Sequence, residues 1–204
     1  MVLNANVRLV HYNAIEIVPL PFELDSKIYD ALIFTSQNSV KNFFKQKINF
    51  AIPDKAFCVG EKTKELLEAQ SLKVISISNA EQLAEMILKK FKDSHFLFLS
   101  GKQRLDILPS LFTKNNVRYD EVHVYDTFLT PKEFERDFDG ILFFSPSGVK
   151  SHFQKNDIGN SIAFCIGPTT EKAAKKYTQK TIVANKPSIE NVVIQAIKEL
   201  RTHD

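Results

Sequence analysis

The chain has 204 residues, 44% of them hydrophobic and 25% charged, the composition of an ordinary globular protein. Its net charge of +3 and pI near 8.7 come from lysines spread along the chain, so nucleic acid is not demanded and a small anionic ligand is compatible. The longest apolar runs, such as Phe96-Leu97-Phe98-Leu99, are too short to span a bilayer. Met1-Val2-Leu3-Asn4-Ala5-Asn6 lacks the pattern of a secretory signal, which makes the cytoplasm the expected compartment.

Taken in chain order, Val7 to Val18 alternates loosely and predicts extended structure, ending at the Pro19-Leu20-Pro21 break, where a crossing between domains is expected. A buried strand follows over Tyr29 to Phe34, then a helix over Asn38 to Lys47 with Val40, Phe43 and Phe44 on one face. Next come a strand over Ala56 to Val59, a helix over Lys62 to Ala69, a strand over Lys73 to Ile77 and a helix from about Ala80, capped by Ser78 or Asn79. His95 to Leu99 reads as a strand running into Ser100-Gly101-Lys102-Gln103-Arg104 and a helix carrying Leu105, Leu108, Leu111 and Phe112. Tyr119 to Phe128 is a long strand of a length that suits a connection between domains.

The second half repeats the order of the first: strand Gly140 to Phe144, helix from Ser147, strand Ile162 to Ile166, helix from Pro168, strand Thr181 to Ala184 and helix Ile189 to Leu200. Ser36 to Ser145 is a separation of 109 residues, Gly60 to Gly167 of 107 and Leu83 to Val192 of 109. Collinear matches at that spacing imply a duplicated domain, and strict alternation of strand and helix predicts two parallel α/β sheets with helices on both faces. Cys58 and Cys165 hold equivalent strand positions and read as buried thiols, with no disulfide or metal role.

In such sheets ligands bind beyond the carboxyl ends of the strands. Five polar clusters lie at such ends: Thr35-Ser36 with Asn38, Gly60 to Thr63, Ser100 to Arg104, Ser145 to Gly148 and Gly167 to Thr170. Backbone N–H groups at helix starts are unpaired and attract carboxylates or phosphates, and neighbouring hydroxyls add donors. The same serines and threonines also serve simply as helix caps. No Walker or dinucleotide motif is present, the histidines have no metal-ligand spacing, and Ser147 with Lys150 is only a bare Ser-x-x-Lys. Tyr125, on the long strand, is a candidate for donating a proton or a hydrogen bond, or else an interdomain packing aromatic; His123 is expected two residues back on the same face.

Five pieces, in this order and at these separations, resemble uroporphyrinogen III synthase: Ile33-Phe34-Thr35-Ser36, Val59-Gly60 with Thr63, Val124-Tyr125-Asp126-Thr127, Phe143-Phe144-Ser145-Pro146-Ser147-Gly148, and Ile166-Gly167-Pro168-Thr169-Thr170 followed by Pro187-Ser188. The resemblance spans nearly the whole chain. It implies a cofactor-free, metal-free lyase with two flavodoxin-like lobes joined by a two-stranded linker and an active-site cleft between them. Residues 1–20 with 129–204 would form one lobe and 21–128 the other. The substrate would be hydroxymethylbilane, an open tetrapyrrole with eight carboxylates, closed to uroporphyrinogen III with inversion of ring D.

By the same resemblance Ser36, Gly60, Thr63, Ser145, Ser147, Gly148, Gly167, Thr169 and Thr170 would bind the acetate and propionate arms, with Asn38, Lys102 and Arg104 as weaker contacts. Tyr125 would assist departure of the hydroxyl as water. A monomer acting on a small polycarboxylate is expected, with neither nucleic acid nor membrane as partner. The family opens with a strand and helix before the segment that begins here near Asn4, so a late recorded start, a lobe completed otherwise and lost activity all stand as expectations. Two other classes stay open: a non-catalytic anion-binding or sensor module of the same fold, and a hydrolase or transferase acting on a phosphorylated metabolite.

Overall fold

A computed structural model describes residues 7–24, 27–46 and 50–201. The chain divides into two compact units, one of Ile17–Thr127 and one of Met1–Glu16 with Phe128–Asp204, called here the middle and the split unit.

The middle unit is built on strands β2 (Ala31–Phe34), β3 (Lys55–Val59), β4 (Lys73–Ile77), β5 (His95–Gly101) and β6 (Arg118–Leu129), with β1 (Ile15–Pro19) at one edge; β1 and β6 each run across a unit boundary. The sheet order is β1-β6-β5-β2-β3-β4. Pairings from β6 through β4 are parallel. At β1 the expectation of an all-parallel sheet fails. Leu20 N donates to Val124 O at 3.1 Å and Thr130 N to Ala14 O at 3.0 Å, so the numbering runs in opposite senses and the sheet is mixed.

The extended stretch ends at Pro19 as expected, but the strand is shorter than Val7 to Val18. Pro19 closes β1 because an edge strand tolerates its missing N–H, whereas Val7 to Asn13 carries no strand.

Helices α1 (Gln37–Phe44) and α2 (Glu61–Glu68) cover one face of this sheet, where Phe34, Val40, Phe43, Cys58, Leu67 and Leu99 pack together. Helices α3 (Ala80–Lys90) and α4 (Ile107–Lys114) cover the other, over Ile33, Phe57, Leu83, Ile87, Phe98 and Phe112. Both faces of β2 and β5 are therefore buried, which is why these strands read as continuous apolar runs. Each fully buried Phe or Leu contributes about 2 kcal/mol against exposure. The α1 helix ends at Phe44, short of the expected Lys47, which lies outside the described residues.

The split unit carries β7 (Gly140–Phe143), β8 (Ile162–Cys165) and β9 (Thr181–Val183), paired in that order and parallel. Helices α5 (Pro146–His152) and α6 (Pro168–Ala174) pack on one face with Phe143, Val149, Ala163 and Cys165, and α7 (Ile189–Arg201) on the other with Phe164, Val192 and Ala196. The internal repeat is visible element by element: β2-α1-β3-α2-β4-α3 and β7-α5-β8-α6-β9-α7 share order and pairing, with the first two helices on one face and the third on the other. The middle unit adds β5, α4 and β6 beyond β2, whereas among the described residues no strand pairs with the corresponding edge of β7. Cys58 and Cys165 are buried free thiols, and burial raises both, Cys165 to about 11.

Candidate functional site: hydroxyl-capped turns and Tyr125

Four turns place the predicted ligand-binding residues. After β2, Ser36 is the N-cap of α1 and its Oγ accepts from Ser39 N at 3.1 Å. After β7, Ser145 caps α5 in the same way, accepting from Gly148 N at 3.0 Å, with Ser147 Oγ also 3.0 Å away. These two turns have no acidic residue in the first helical turn, so nothing there already neutralises the positive end of the helix.

The other pair differs. Gly60 before α2 and Gly167 before α6 give no side-chain cap, and Glu61 and Glu171 stand in the first turns. Gly60 has φ 84° and ψ 146°, a backbone region open essentially to glycine alone, whereas Gly167 is simply extended.

Counting free backbone donors sharpens the contrast. Gln37 N and Asn38 N, Glu61 N and Lys62 N, Ser147 N, and Thr169 N have no acceptor among the described residues. Pro146 and Pro168 remove one donor each from the split unit's turns. Thr63 and Thr170 are buried at 4% and 3% exposure, whereas Thr169 is exposed. Ser145 and Gly148 also wall a cavity of about 410 Å³ along β7, whose remaining lining is mostly apolar, with Tyr12, Leu142, Phe144 and Ile189 among its residues.

Tyr125 sits where β5 and β6 fall out of register. Ser100 pairs with His123 but Gly101 pairs with Tyr125, leaving Val124 as the extra residue of a bulge. Val124 and Tyr125 consequently both pack toward the α1 side, and Tyr125 OH lies 3.1 Å from Ser36 Oγ. This corrects the expected placement of His123 beside Tyr125. His123 Nδ1 is 2.9 Å from Ser100 Oγ, which also donates to Glu121 Oε1 at 2.6 Å, on the opposite face.

Gly101, expected in the polar cluster after the strand, closes β5 itself. A Cβ there would stand 2.7 Å from the Tyr125 hydroxyl oxygen, so the phenol lies directly on the glycine backbone. The available signal was a lone glycine closing an apolar strand, which marks close approach.

The two basic candidates have partners inside their own unit. Arg104 Nε and NH2 donate to the two carboxylate oxygens of Glu121 at 2.6 and 2.7 Å, and NH1 to Asp106 at 2.9 Å. Burial by itself raises the Glu121 carboxyl, but the hydrogen bonds from Arg104 and Ser100 and the guanidinium charge outweigh it, and the group ends below its ordinary value. Lys102 is exposed, with Nζ 3.8 Å from Asp126 Oδ2. Asp126 in turn accepts from Gln103 Nε2 at 3.2 Å and from Thr127 N at 2.7 Å, stapling the loop after β5 onto β6. Among the described residues no group of three or more His, Cys, Asp or Glu could hold a metal ion, and no helix is long and apolar enough to cross a membrane.

The class so defined is a two-unit α/β protein with a mixed sheet, whose strand ends feed serine- and glycine-started helices and carry a tyrosine against one of them. Comparison with known proteins narrows it. The description of the uroporphyrinogen-III synthase HemD family matches residues 4–194, and the chain belongs to this family. It is 24% identical to the porphyrin biosynthesis protein HemD of Ruminiclostridium josui over 216 residues, which cover 90% of this chain and 42% of that protein. The chain thus spans less than half the length of that relative. It is 26% identical to the uroporphyrinogen-III synthase of Chlorobaculum parvum over 199 residues, covering 83% of this chain and 80% of that one.

In fold it is similar to the crystal structure of uroporphyrinogen-III synthetase from Helicobacter pylori, with TM-score 0.75, 23% identity and 95% of each chain covered. The Thermus thermophilus synthase matches with TM-score 0.56 and 13% identity over 92% of this chain and 86% of that one. Family membership bears out the resemblance read from the sequence.

Proposed function

We propose that this chain closes hydroxymethylbilane to uroporphyrinogen III with inversion of ring D, using helix-start donors for the carboxylates and Tyr125 at the departing hydroxyl. The observation that carries the reading is the pairing of Tyr125 OH with Ser36 Oγ at the head of α1, which sets a phenol beside a turn holding two unpaired N–H groups. A polyanion with eight carboxylates needs many dispersed donors more than it needs a lysine cluster, and strand-to-helix turns supply them. Within each unit the serine-capped turn, at Ser36 or at Ser145, is the stronger anion site, because Glu61 and Glu171 oppose an anion at the glycine-started turns. Ser147, Gly148, Asn38, Thr169 and the backbone at Gly60 and Gly167 complete the contacts. Thr63 and Thr170, buried beneath their turns, act by holding them in place.

The linear tetrapyrrole closes by itself to the uninverted isomer, so the protein's task is chiefly to hold one conformation. Loss of the terminal hydroxyl as water breaks a C–O bond, and a hydrogen bond or proton from Tyr125 stabilises the leaving oxygen. Arg104 and Lys102 act on the loop after β5 more than on substrate, given their acidic partners. The reading takes each unit as flavodoxin-like and the protein as a cytoplasmic monomer.

The test is incubation with freshly generated hydroxymethylbilane and separation of the oxidised isomers. Isomer III is expected to dominate, and isomer I alone at the uncatalysed rate sinks the reading. Tyr125→Phe is expected to slow ring closure on the order of 10²-fold with folding intact.

A further inference from the structure

Three hydroxyls stand in a row at the head of α1. Ser39 Oγ is 2.7 Å from Ser36 Oγ, and Ser36 Oγ is 3.1 Å from Tyr125 OH. Ser39 is fully buried, and its hydroxyl has no other hydrogen-bond partner among the described residues. A serine hydroxyl owns one hydrogen and two lone pairs, which is enough to fix the direction of the chain. The Ser39 hydrogen has only Ser36 Oγ to go to. The second lone pair of Ser36 Oγ already accepts from Ser39 N at 3.1 Å. The Ser36 hydrogen must therefore point at Tyr125, whose oxygen accepts it. The reverse order, with Tyr125 donating to Ser36, would strand a hydroxyl hydrogen in the protein interior, a cost folded proteins avoid.

We infer that Ser39, acting through Ser36, is a positioning residue that turns the Tyr125 hydroxyl hydrogen away from the protein and makes Tyr125 a donor toward the ligand. The inference rests on the proposed role of Tyr125. Hydrogen bonds along such a chain polarise one another, so the acceptance from Ser36 also strengthens the donation by Tyr125. Nothing in the geometry of the turn requires a hydroxyl at position 39 for capping, because Ser36 caps through Ser39 N.

The experiment is a two-by-two comparison of Ser39→Ala and Tyr125→Phe, singly and together, with kcat and KM measured on hydroxymethylbilane and folding checked by circular dichroism. With Ser39 replaced, Ser36 Oγ regains a lone pair that competes for the Tyr125 hydrogen. Ser39→Ala should lower kcat about three- to tenfold with KM little changed, and should cost nothing further in the Tyr125→Phe background. A kcat at the parental level for Ser39→Ala, or an equal loss in both backgrounds, overturns the inference while leaving the role of Tyr125 standing. A parental rate for Tyr125→Phe itself overturns that role and this inference with it.

Discussion

At the scale of single residues, the position of Tyr125 is set by what lies beneath it. The bulge at Val124 turns the phenol toward α1, and Gly101 leaves it room to lie on the backbone. A methyl at 101 meets the far end of the tyrosine side chain and not rigid backbone, so the ring is what moves. Gly101→Ala is expected to keep the fold and to break the contact between Tyr125 and Ser36, lowering kcat about as far as Tyr125→Phe does and adding little to it. The measurement is kcat for the single and double variants beside their thermal midpoints. A large drop in midpoint with kcat preserved would make Gly101 a packing residue only. The bulge is not legible in the sequence, because an extra strand residue leaves no periodic mark; only the glycine closing the apolar strand hints at the close approach. Tyr125 itself is singled out in the sequence by its place on the long strand and again by the family motif.

At the scale of elements, the two glycine-started helices look alike in sequence and differ in what they demand. Gly60 holds φ 84°, where a side chain is strained, whereas Gly167 is extended and a Cβ there meets nothing within 4 Å. Gly60→Ala should therefore destabilise the protein by about 1–3 kcal/mol, and Gly167→Ala should leave stability within about 0.5 kcal/mol. If Gly167 serves a carboxylate by letting it approach the backbone, its alanine variant raises KM with stability unchanged; a KM equal to the parent's would remove Gly167 from the contacts. Denaturant titration and steady-state kinetics on the two variants separate these cases.

Elements were the most legible level of this chain. Lys73–Ile77 falls on its predicted residues, α3 starts at Ala80 as expected, and Asn79 caps it by accepting from Gln82 N. Local periodicity and caps decide such elements. What failed needed tertiary knowledge. Leu105 is 63% exposed before the first turn of α4, because Arg104 and Asp106 tie that loop to Glu121 and Ser110. The direction of β1 depends on a partner more than a hundred residues away, which no local pattern encodes.

At the scale of the whole molecule, the duplication leaves each unit with its own core and its own weak point toward acid. In the split unit His152 is 4% exposed among Phe134, Phe143 and Phe153, and its Nε2 has no partner among the described residues. Burial holds its imidazole below the ordinary value. The unfolded histidine takes up a proton near pH ~6.5 while the native one does not, so the unfolded state binds more protons and stability falls as pH drops below that point. In the middle unit the corresponding group is Glu121, depressed by Arg104 and Ser100. Its contribution is complete above the unfolded carboxyl value of about 4.3 and is lost only as pH falls through the lower native one.

The split unit should accordingly weaken first. Calorimetric scans from about pH 7.5 to about pH 3 are expected to resolve one transition that moves down from about pH 6.5 and another that holds until about pH 4.3. His152→Leu should remove the early shift, and Glu121→Gln should flatten the late one at the expense of midpoint at neutral pH, since Arg104 then keeps only Asp106 as a charged partner. A single transition, shifting alike in both variants, would show that the two cores melt as one.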